Sequence, residues 1–353
     1  MTPPVFVADV GNALLKMAAE CNATHLFMLT DSNTLRCCMP TLQLQHGEKE
    51  VTLLSIEAGE HNKGLSTAVT LWQQLIAHGA TPSSMLVILG GRVVCDMGGF
   101  VATTFKRGMP FVNIPTTLLA MVDAATGGKN GINFEGLKNE IGTFANARAT
   151  LLHTRWLTTL SDEEMLSGYG EMLKHALLAD ERHWADVLLM DATTAKHHAA
   201  YMEPVIARSL QVKTDIVAQD PHEKGLRKVL NLGHTTAHAL ESLLMQRPTS
   251  SFLLPHGHAV AHGLVAALYM SCVLCGFPID KMRKTVAHIR QCYGRPPITC
   301  DDYDALFDII QHDKKNWNNQ PAFVLLEDIG SARTDVAVDK QLFCEALDFV
   351  REG

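Results

Sequence analysis

Met85-Leu86-Val87-Ile88-Leu89-Gly90-Gly91 is an unbroken apolar run that stops at two glycines. Five apolar residues without alternation suit a strand covered on both faces, and such strands belong to parallel sheets. Working outward, the pattern repeats. Upstream, Leu26-Phe27-Met28-Leu29-Thr30 ends at Asp31-Ser32-Asn33, while Val51 to Ile56 is followed by Gly59-Glu60-His61-Asn62-Lys63-Gly64 and a helical stretch through His78. Downstream, Phe111-Val112-Asn113-Ile114 ends at Pro115-Thr116-Thr117. Strand, loop and helix in alternation predict an α/β N-terminal domain with a Rossmann-like parallel sheet. From about Trp156 the character changes. Helical periodicity covers Asp162–Ala179, His197–Gln219, Lys228–Leu244, Val260–Cys275 and Asp301–His312, and only Ala322 to Leu326 reads as extended. The expected division is therefore an α/β domain over 1–152 and a mainly α-helical C-terminal domain over 153–353.

The 353 residues are 47% hydrophobic and 19% charged, which excludes a disordered chain. With 37 acidic and 30 basic residues the net charge is −7. That balance gives no general pull toward nucleic acid or an anionic membrane, so neither is expected as a partner. An anionic ligand must be held by a local basic cluster. The first residues lack a basic stretch followed by an apolar core, so no export signal is expected. The apolar run Leu264 to Phe277 is short for a bilayer and reads as a buried helix. Nine scattered cysteines, an odd number, argue against a disulfide framework and for the cytoplasm. Cys272 and Cys275 form a single CxxC inside that apolar helix and are expected to pack in the core.

Two glycine loops attract chemistry. Gly90-Gly91-Arg92-Val93-Val94-Cys95-Asp96-Met97-Gly98-Gly99 follows the best strand, where amides at a helix start favour a pyrophosphate. Arg92 and Cys95 stand where the dinucleotide fingerprint needs glycine, so a nucleotide site and a plain tight turn both remain readings. Thr126-Gly127-Gly128-Lys129-Asn130-Gly131 reads either as an anion cradle or as a glycine-rich turn. Asn130 replaces the Ser or Thr of a Walker loop. Arg107, Asp123, Lys129, Lys138 and Asn139 share one largely apolar stretch, and charges there need partners that a phosphate-bearing ligand would supply.

Five histidines crowd into the helical half: His234, His238, His256, His258 and His262. His234 and His238 lie i, i+4 on one helix face, as do His258 and His262. Together with Glu171 in Gly170-Glu171-Met172-Leu173-Lys174 they point to a metal site, since two imidazoles and a carboxylate with an open position suit catalytic Zn²⁺. Spacing alone does not select the ligands. The plainest pair is His234/His238, although no Glu follows His234 as in the zinc-peptidase helix.

Taken together, these motifs resemble the 3-dehydroquinate synthase family, among the sugar-phosphate cyclases, from Asp31 to about Gly330. The stretches that carry the likeness are Gly90–Phe100, Arg107-Gly108, Pro115–Leu119, Val122-Asp123, Gly127–Lys129, Lys138-Asn139 and Gly170–Lys174, then Glu223–Arg227, Leu230–Thr235, His256-Gly257 and Asp313–Lys315. The resemblance implies a homodimeric lyase that uses NAD and Zn²⁺, with Co²⁺ as the other candidate ion. Its implied reaction converts 3-deoxy-D-arabino-heptulosonate 7-phosphate to 3-dehydroquinate. NAD⁺ oxidises the C5 hydroxyl, phosphate leaves, the hydride returns, and an internal aldol step closes the ring.

It implies Zn²⁺ ligands Glu171, His234 and His256, with His238 at the substrate. Substrate contacts would come from Arg107, Asp123, Lys129, Asn139, Lys174, Lys213, Arg227, Asn231, His238 and Lys314 or Lys315. Of these, Arg107, Lys129, Lys174 and His238 are the expected catalytic set. NAD would meet Asp31, Asn33, Glu60, Lys63, Gly91, Asp96, Thr116 and Thr117, with Lys138 and Thr159 nearby. Three departures stand out. Arg92 and Cys95 replace family glycines and are expected to narrow the pyrophosphate approach, and His258 replaces a Glu and is expected to bring another nitrogen donor to the metal. Another sugar-phosphate cyclase, a metal-dependent polyol dehydrogenase of this architecture, and a catalytically inactive scaffold are the alternative readings.

Overall fold

The structure, a computed structural model, describes residues 2–42, 51–135, 137–247, 254–311 and 321–353. The candidates Lys314 and Lys315 lie outside the described residues. The chain divides into two compact units, Met1–Ser161 with Ala195–Thr214, and Asp162–Thr194 with Asp215–Gly353.

The first unit contains β1 (Val5–Phe6), α1 (Val10–Glu20), β2 (Leu26–Asp31), α2 (Ser32–Cys37), β3 (Val51–Ile56), α3 (Leu65–Ala77), β4 (Met85–Gly90), α4 (Arg92–Thr104), β5 (Phe111–Pro115), β6 (Lys129–Phe134), β7 (Leu137–Phe144) and β8 (Ala149–Leu152). Six strands form one parallel sheet in the order β1-β8-β5-β4-β2-β3. The apolar run of β4 shows why it does not alternate. Leu86 and Ile88 enter one core cluster with Phe27 and Leu29, while Met85, Val87 and Leu89 enter another with Leu26 and Met28. Successive strand residues face opposite sides, and both sides are buried. Each such side chain contributes about 1.5–3 kcal/mol by burial. From β2 the chain steps outward to β3, then returns to the other side of β2 as β4. The reversal between β2 and β4 is where ligands meet open α/β sheets, beyond the carboxyl ends of the strands.

The remaining strands of this unit depart from expectation. β6 and β7 pair as an antiparallel hairpin, so Lys129 begins a strand where a loop was expected, and Lys138 and Asn139 lie on its partner strand.

The second unit contains α5 (Asp162–Ala179), α6 (Glu181–Leu188), α9 (His234–Met245), α10 (His256–Cys275), α11 (Ile279–Tyr293), α12 (Tyr303–Gln311), β9 (Ala322–Asp328), β10 (Ser331–Ala337) and α13 (Lys340–Glu352). Between α6 and α9 come α7 (Ala192–Ala195) and α8 (Ala199–Gln219), the latter passing out of the first unit at its C-terminal end. The helix expected over 228–244 is broken: Leu226–Asn231 is a 3₁₀ segment, and Gly233 at φ +78° separates it from α9. A Cβ on Gly233 would lie 3.0 Å from the Leu264 amide nitrogen, so α10 passes where no side chain fits. β10 pairs antiparallel with β9 and corrects the expectation of a single extended segment. Its sequence hides it, because an irregularity between Arg333 and Val336 interrupts the register and Asp335 has φ +57°.

α10 starts at His256, four residues before the expected Val260, because Pro255 serves as its N-cap. It is long and apolar enough to cross a membrane, yet two thirds of its apolar window is buried within the fold. The expectation that the CxxC packs in the core fails at its end. Cys272 and Cys275 are half-buried, and Val273 and Leu274 between them are exposed.

Candidate active site

In the second unit three chain-distant side chains converge. Glu171 lies mid-way along α5, while His234 and His256 are the first residues of α9 and α10. Glycine permits the approach. A Cβ on Gly170 would sit 2.2 Å from the Gly257 carbonyl oxygen, and one on Gly257 would sit 1.7 Å from that of Ser167. The two helices therefore touch backbone to backbone, one residue from Glu171 and from His256.

His234 Nε2 lies 3.4 Å and His256 Nε2 3.2 Å from Glu171 Oε1, and Lys174 Nζ lies 2.5 Å from Glu171 Oε2. Glu171 is fully buried. Burial alone would raise its carboxyl pKa, but the Lys174 ammonium and His234 hold it well below the usual range. Burial, and then Lys174, hold His234 below the ordinary imidazole value. The result is an ionised carboxylate facing a neutral imidazole, the protonation states that metal binding requires.

The remaining ring nitrogens have acceptors: His234 Nδ1 is 3.2 Å from the Leu232 carbonyl oxygen, and His256 Nδ1 is 3.3 Å from Glu241 Oε2. The Nε2 atoms are thus left to face Glu171. Ligand atoms of Glu171, His234 and His256 all lie within 4.8 Å of one another, so two nitrogens and an oxygen fit a divalent transition ion.

His238 is exposed, its ring centroid 5.5 Å from that of His234 and 6.2 Å from that of His256. The nearby nitrogen donor expected at His258 is corrected. Its ring packs edge-on against Tyr293 at 5.0 Å, and it joins none of the metal-capable groups found among the described residues. Burial presses its pKa down to about 4. Arg227, 3% exposed, donates from Nη1 to the Pro221 carbonyl at 2.6 Å, and Asn231 donates to Glu223 Oε1 at 2.5 Å.

In the first unit the cofactor candidates gather at the carboxyl ends of the strands. Asp31 ends β2, Glu60 and Lys63 follow β3, Gly91 and Asp96 follow β4, and Thr116 and Thr117 follow β5. Asp31 also caps α2 through Thr34, and Asn33 is the exposed second residue of that helix. α4 opens with Gly91 as N-cap and no side-chain cap, and a Cβ on Gly91 would lie 3.0 Å from Thr117 Cγ2. Uncapped amides at a position crowded by Thr117 fit a pyrophosphate. The expected narrowing by Cys95 is corrected. Its thiol is 2% exposed and belongs to the core cluster under β4. Arg92 turns along the helix toward Asp96, with Nε 3.9 Å from Oδ2.

A charged network that the sequence does not announce joins these residues. Lys63, fully buried, donates to Asp96 Oδ2 at 2.5 Å and to the Asn139 side-chain oxygen. The Asn139 amide, in left-handed backbone at φ +53°, donates to Asn133 Oδ1, and Asn133 donates to Glu60 Oε1 at 3.0 Å. Burial would raise the Glu60 carboxyl, but Arg92 and then Lys63 pull it below the usual value. Elsewhere in this unit Lys213 Nζ donates to the Asp123 carbonyl oxygen at 2.6 Å and to Oδ1 at 2.8 Å. Asp123 lies on the π-helical turn Ala120–Ala124.

Lys129 is exposed at the start of β6, Lys138 is half-buried on β7, and Thr159 is exposed, with its hydroxyl donating to the Trp156 carbonyl. Arg107 is exposed in left-handed backbone ahead of the amino end of β5. Among the described residues no hydrogen bond or ion pair joins it to another candidate.

Comparison with known proteins agrees across the chain. The family model described as 3-dehydroquinate synthase N-terminal matches residues 53–167, and that described as 3-dehydroquinate synthase C-terminal matches 168–316. A 3-dehydroquinate synthase of Parabacteroides distasonis is 42% identical over 351 residues, 99% of this chain and 98% of the relative. One of Thermococcus kodakarensis is 36% identical over 339 residues, 96% and 93% respectively. Among solved structures, a 2-epi-5-epi-valiolone synthase from Streptomyces hygroscopicus with NAD⁺ and Zn²⁺ bound superposes at TM-score 0.83 with 23% identity, covering 98% of this chain and 96% of that one. A structure described as a probable glycerol dehydrogenase from Sinorhizobium meliloti reaches TM-score 0.62 at 14% identity, covering 97% and 94%. These structural likenesses establish the shared fold.

Proposed function

Because the chain belongs to the 3-dehydroquinate synthase family, it is a phosphorus–oxygen lyase converting 3-deoxy-D-arabino-heptulosonate 7-phosphate to 3-dehydroquinate and phosphate, and we propose how its residues share that work. The step belongs to the shikimate route to chorismate and the aromatic amino acids. Glu171, His234 and His256 hold Zn²⁺, or Co²⁺ in its place. The convergence of both Nε2 atoms on one buried carboxylate oxygen is the observation that carries this assignment. Asp31, Asn33, Glu60, Lys63, Gly91, Asp96, Thr116 and Thr117 hold NAD, with Lys138 and Thr159 at the margin. When bound, NAD supplies a hydride acceptor that is regenerated each turnover, and the ion polarises a substrate hydroxyl.

The chain's own groups bind and balance charge. Lys174, fixed on Glu171, places an ammonium where negative charge on a substrate oxygen needs offsetting. Arg227 offers a planar fork for a carboxylate or phosphate, and Lys213 a point charge steadied by Asp123. Lys129, Asn139, Asn231, Arg107 and Lys314 or Lys315 contribute further substrate contacts. His238, exposed beside the two metal-ligand rings, holds or relays a proton at an imidazole nitrogen. The cofactor residues fall in the first unit and the metal residues in the second. The protein works as a cytoplasmic homodimer on a small sugar phosphate, without nucleic acid or membrane.

Phosphate release from the heptulosonate, with NAD⁺ and Zn²⁺ present, tests this reading. Activity in the parent and a fall of at least about 100-fold in Glu171→Ala is the expected result, more than loss of a supporting contact costs. A metal-loaded, folded parent that releases no phosphate above the variant would contradict it.

A further inference from the structure

We propose that Glu241 is a positioning residue for the metal, fixing His256 so that its Nε2 faces the ion. The proposal rests on the reading that Glu171, His234 and His256 hold a divalent cation. His256 lies between two carboxylates from two helices. Its Nε2 is 3.2 Å from Glu171 Oε1 on α5, and its Nδ1 is 3.3 Å from Glu241 Oε2 on α9. A neutral imidazole carries one N–H, so the nitrogen that gives its lone pair to a metal leaves the hydrogen on the other. With Nε2 toward the ion, Nδ1–H points at Glu241. The carboxylate sets the tautomer, holds the ring plane and makes the ligating nitrogen more basic.

The other imidazole serves as an internal comparison. His234 Nδ1 is backed by the Leu232 carbonyl, a neutral acceptor that the backbone supplies whatever the side chain. The two ligands therefore differ in their support, and only that of His256 depends on a side chain that can be replaced. Glu241 is 4% exposed, and a polar group so far from water needs a hydrogen-bonding partner. It stands seven residues after His234 on the same helix. One face of α9 thus supplies a metal ligand at its first residue and the support for the other ligand two turns on.

His238, Glu241 and His256 also bring ligand atoms within 4.8 Å of one another. That geometry admits a rival role in which Glu241 ligates a second ion, and the experiment separates the two.

Zn²⁺ affinity and stoichiometry are measured by chelator competition on the full chain, and the Co²⁺-substituted protein is followed by its visible absorption, for the parent, Glu241→Gln, Glu241→Ala and Glu171→Ala. The expected result is one ion per chain in the parent. Glu241→Ala weakens Zn²⁺ binding about 10–100-fold and shifts the Co²⁺ bands. Glu241→Gln has the same shape and retains an acceptor oxygen but no charge. It recovers part of the affinity and still shifts the bands, which keeps the test open should the Ala variant not fold. Affinity within about twofold of the parent and unchanged Co²⁺ bands in either folded variant would overturn the positioning role. Two ions in the parent and one in Glu241→Ala would overturn it in favour of a second ligand set. Undiminished Zn²⁺ binding in Glu171→Ala would instead overturn the metal assignment on which the proposal rests, a result separate from the first two.

Discussion

The two units hold their buried polar groups differently. In the sheet unit, Lys63 meets Asp96 and the Asn139 side-chain oxygen, and Lys213 meets Asp123. In the helical unit, the pair Lys174–Glu171 stands among imidazoles that burial strips of their charge: His234, His258, His262 and His288 all lie below the ordinary value, with desolvation the leading cause in each. Paired charges order donors and acceptors in advance, whereas a neutral imidazole facing an ionised carboxylate suits a cation. The same chain therefore offers ordered donors and acceptors in one unit and metal donors in the other.

The strongest way to break this contrast is Lys63→Met. It leaves Asp96 without the ammonium 2.5 Å away, a pair whose side chains are 0% and 13% exposed. Removing one partner of such a pair costs about 3–5 kcal/mol. Urea denaturation followed by circular dichroism measures it, and a loss under about 1 kcal/mol would mean the network does not hold this end of the sheet together.

The helical unit has its own test in pH. The His262 pKa is pushed down to about 4 from 6.5 by burial and then by His258. Because the folded value lies below the unfolded one, its contribution is complete above pH 6.5 and is lost as pH falls from 6.5 toward about 4. The span corresponds to about 3 kcal/mol. In His262→Gln the stability should fall less over that window. A parallel decline in parent and variant would show that this imidazole is not held neutral by the fold.

Gly257→Ala sharpens the comparison with a smaller effect. Its Cβ would meet the Ser167 carbonyl oxygen at 1.7 Å, so α5 and α10 must part. About 1–3 kcal/mol of stability should be lost. Zn²⁺ affinity should fall with it, because Glu171 and His256 ride on the separated helices. Gly276→Ala, just past the far end of α10 at φ +75°, loses stability by backbone strain with no atom within 4 Å of its Cβ, and should leave Zn²⁺ affinity unchanged.

What was legible in the sequence was what lies close together along it, and each unit has features on both sides of that line. The sheet was open to reading because β2, β4 and β5 are buried on both faces and their apolar runs stand out against polar ends. The ligand candidates were visible too, as histidines crowded on two helices. Glu241 was not, since a glutamate on a helix reads as a solvated face until α10 is packed over it. The Lys63 network was hidden for another reason: its members lie 33 and 76 residues apart, and only the fold brings them together. β10 escaped because its burial alternates over mostly small and polar residues, leaving no apolar run to notice.

The coordination of the ion itself is the most direct test of the whole account. X-ray absorption at the zinc edge on the Zn²⁺-loaded protein should show two imidazoles and light oxygen donors with no sulfur, and Glu171→Ala, His234→Ala and His256→Ala should each lose that signal. A shell containing thiolate sulfur, or one unchanged in all three variants, would place the ion elsewhere and contradict the assignment.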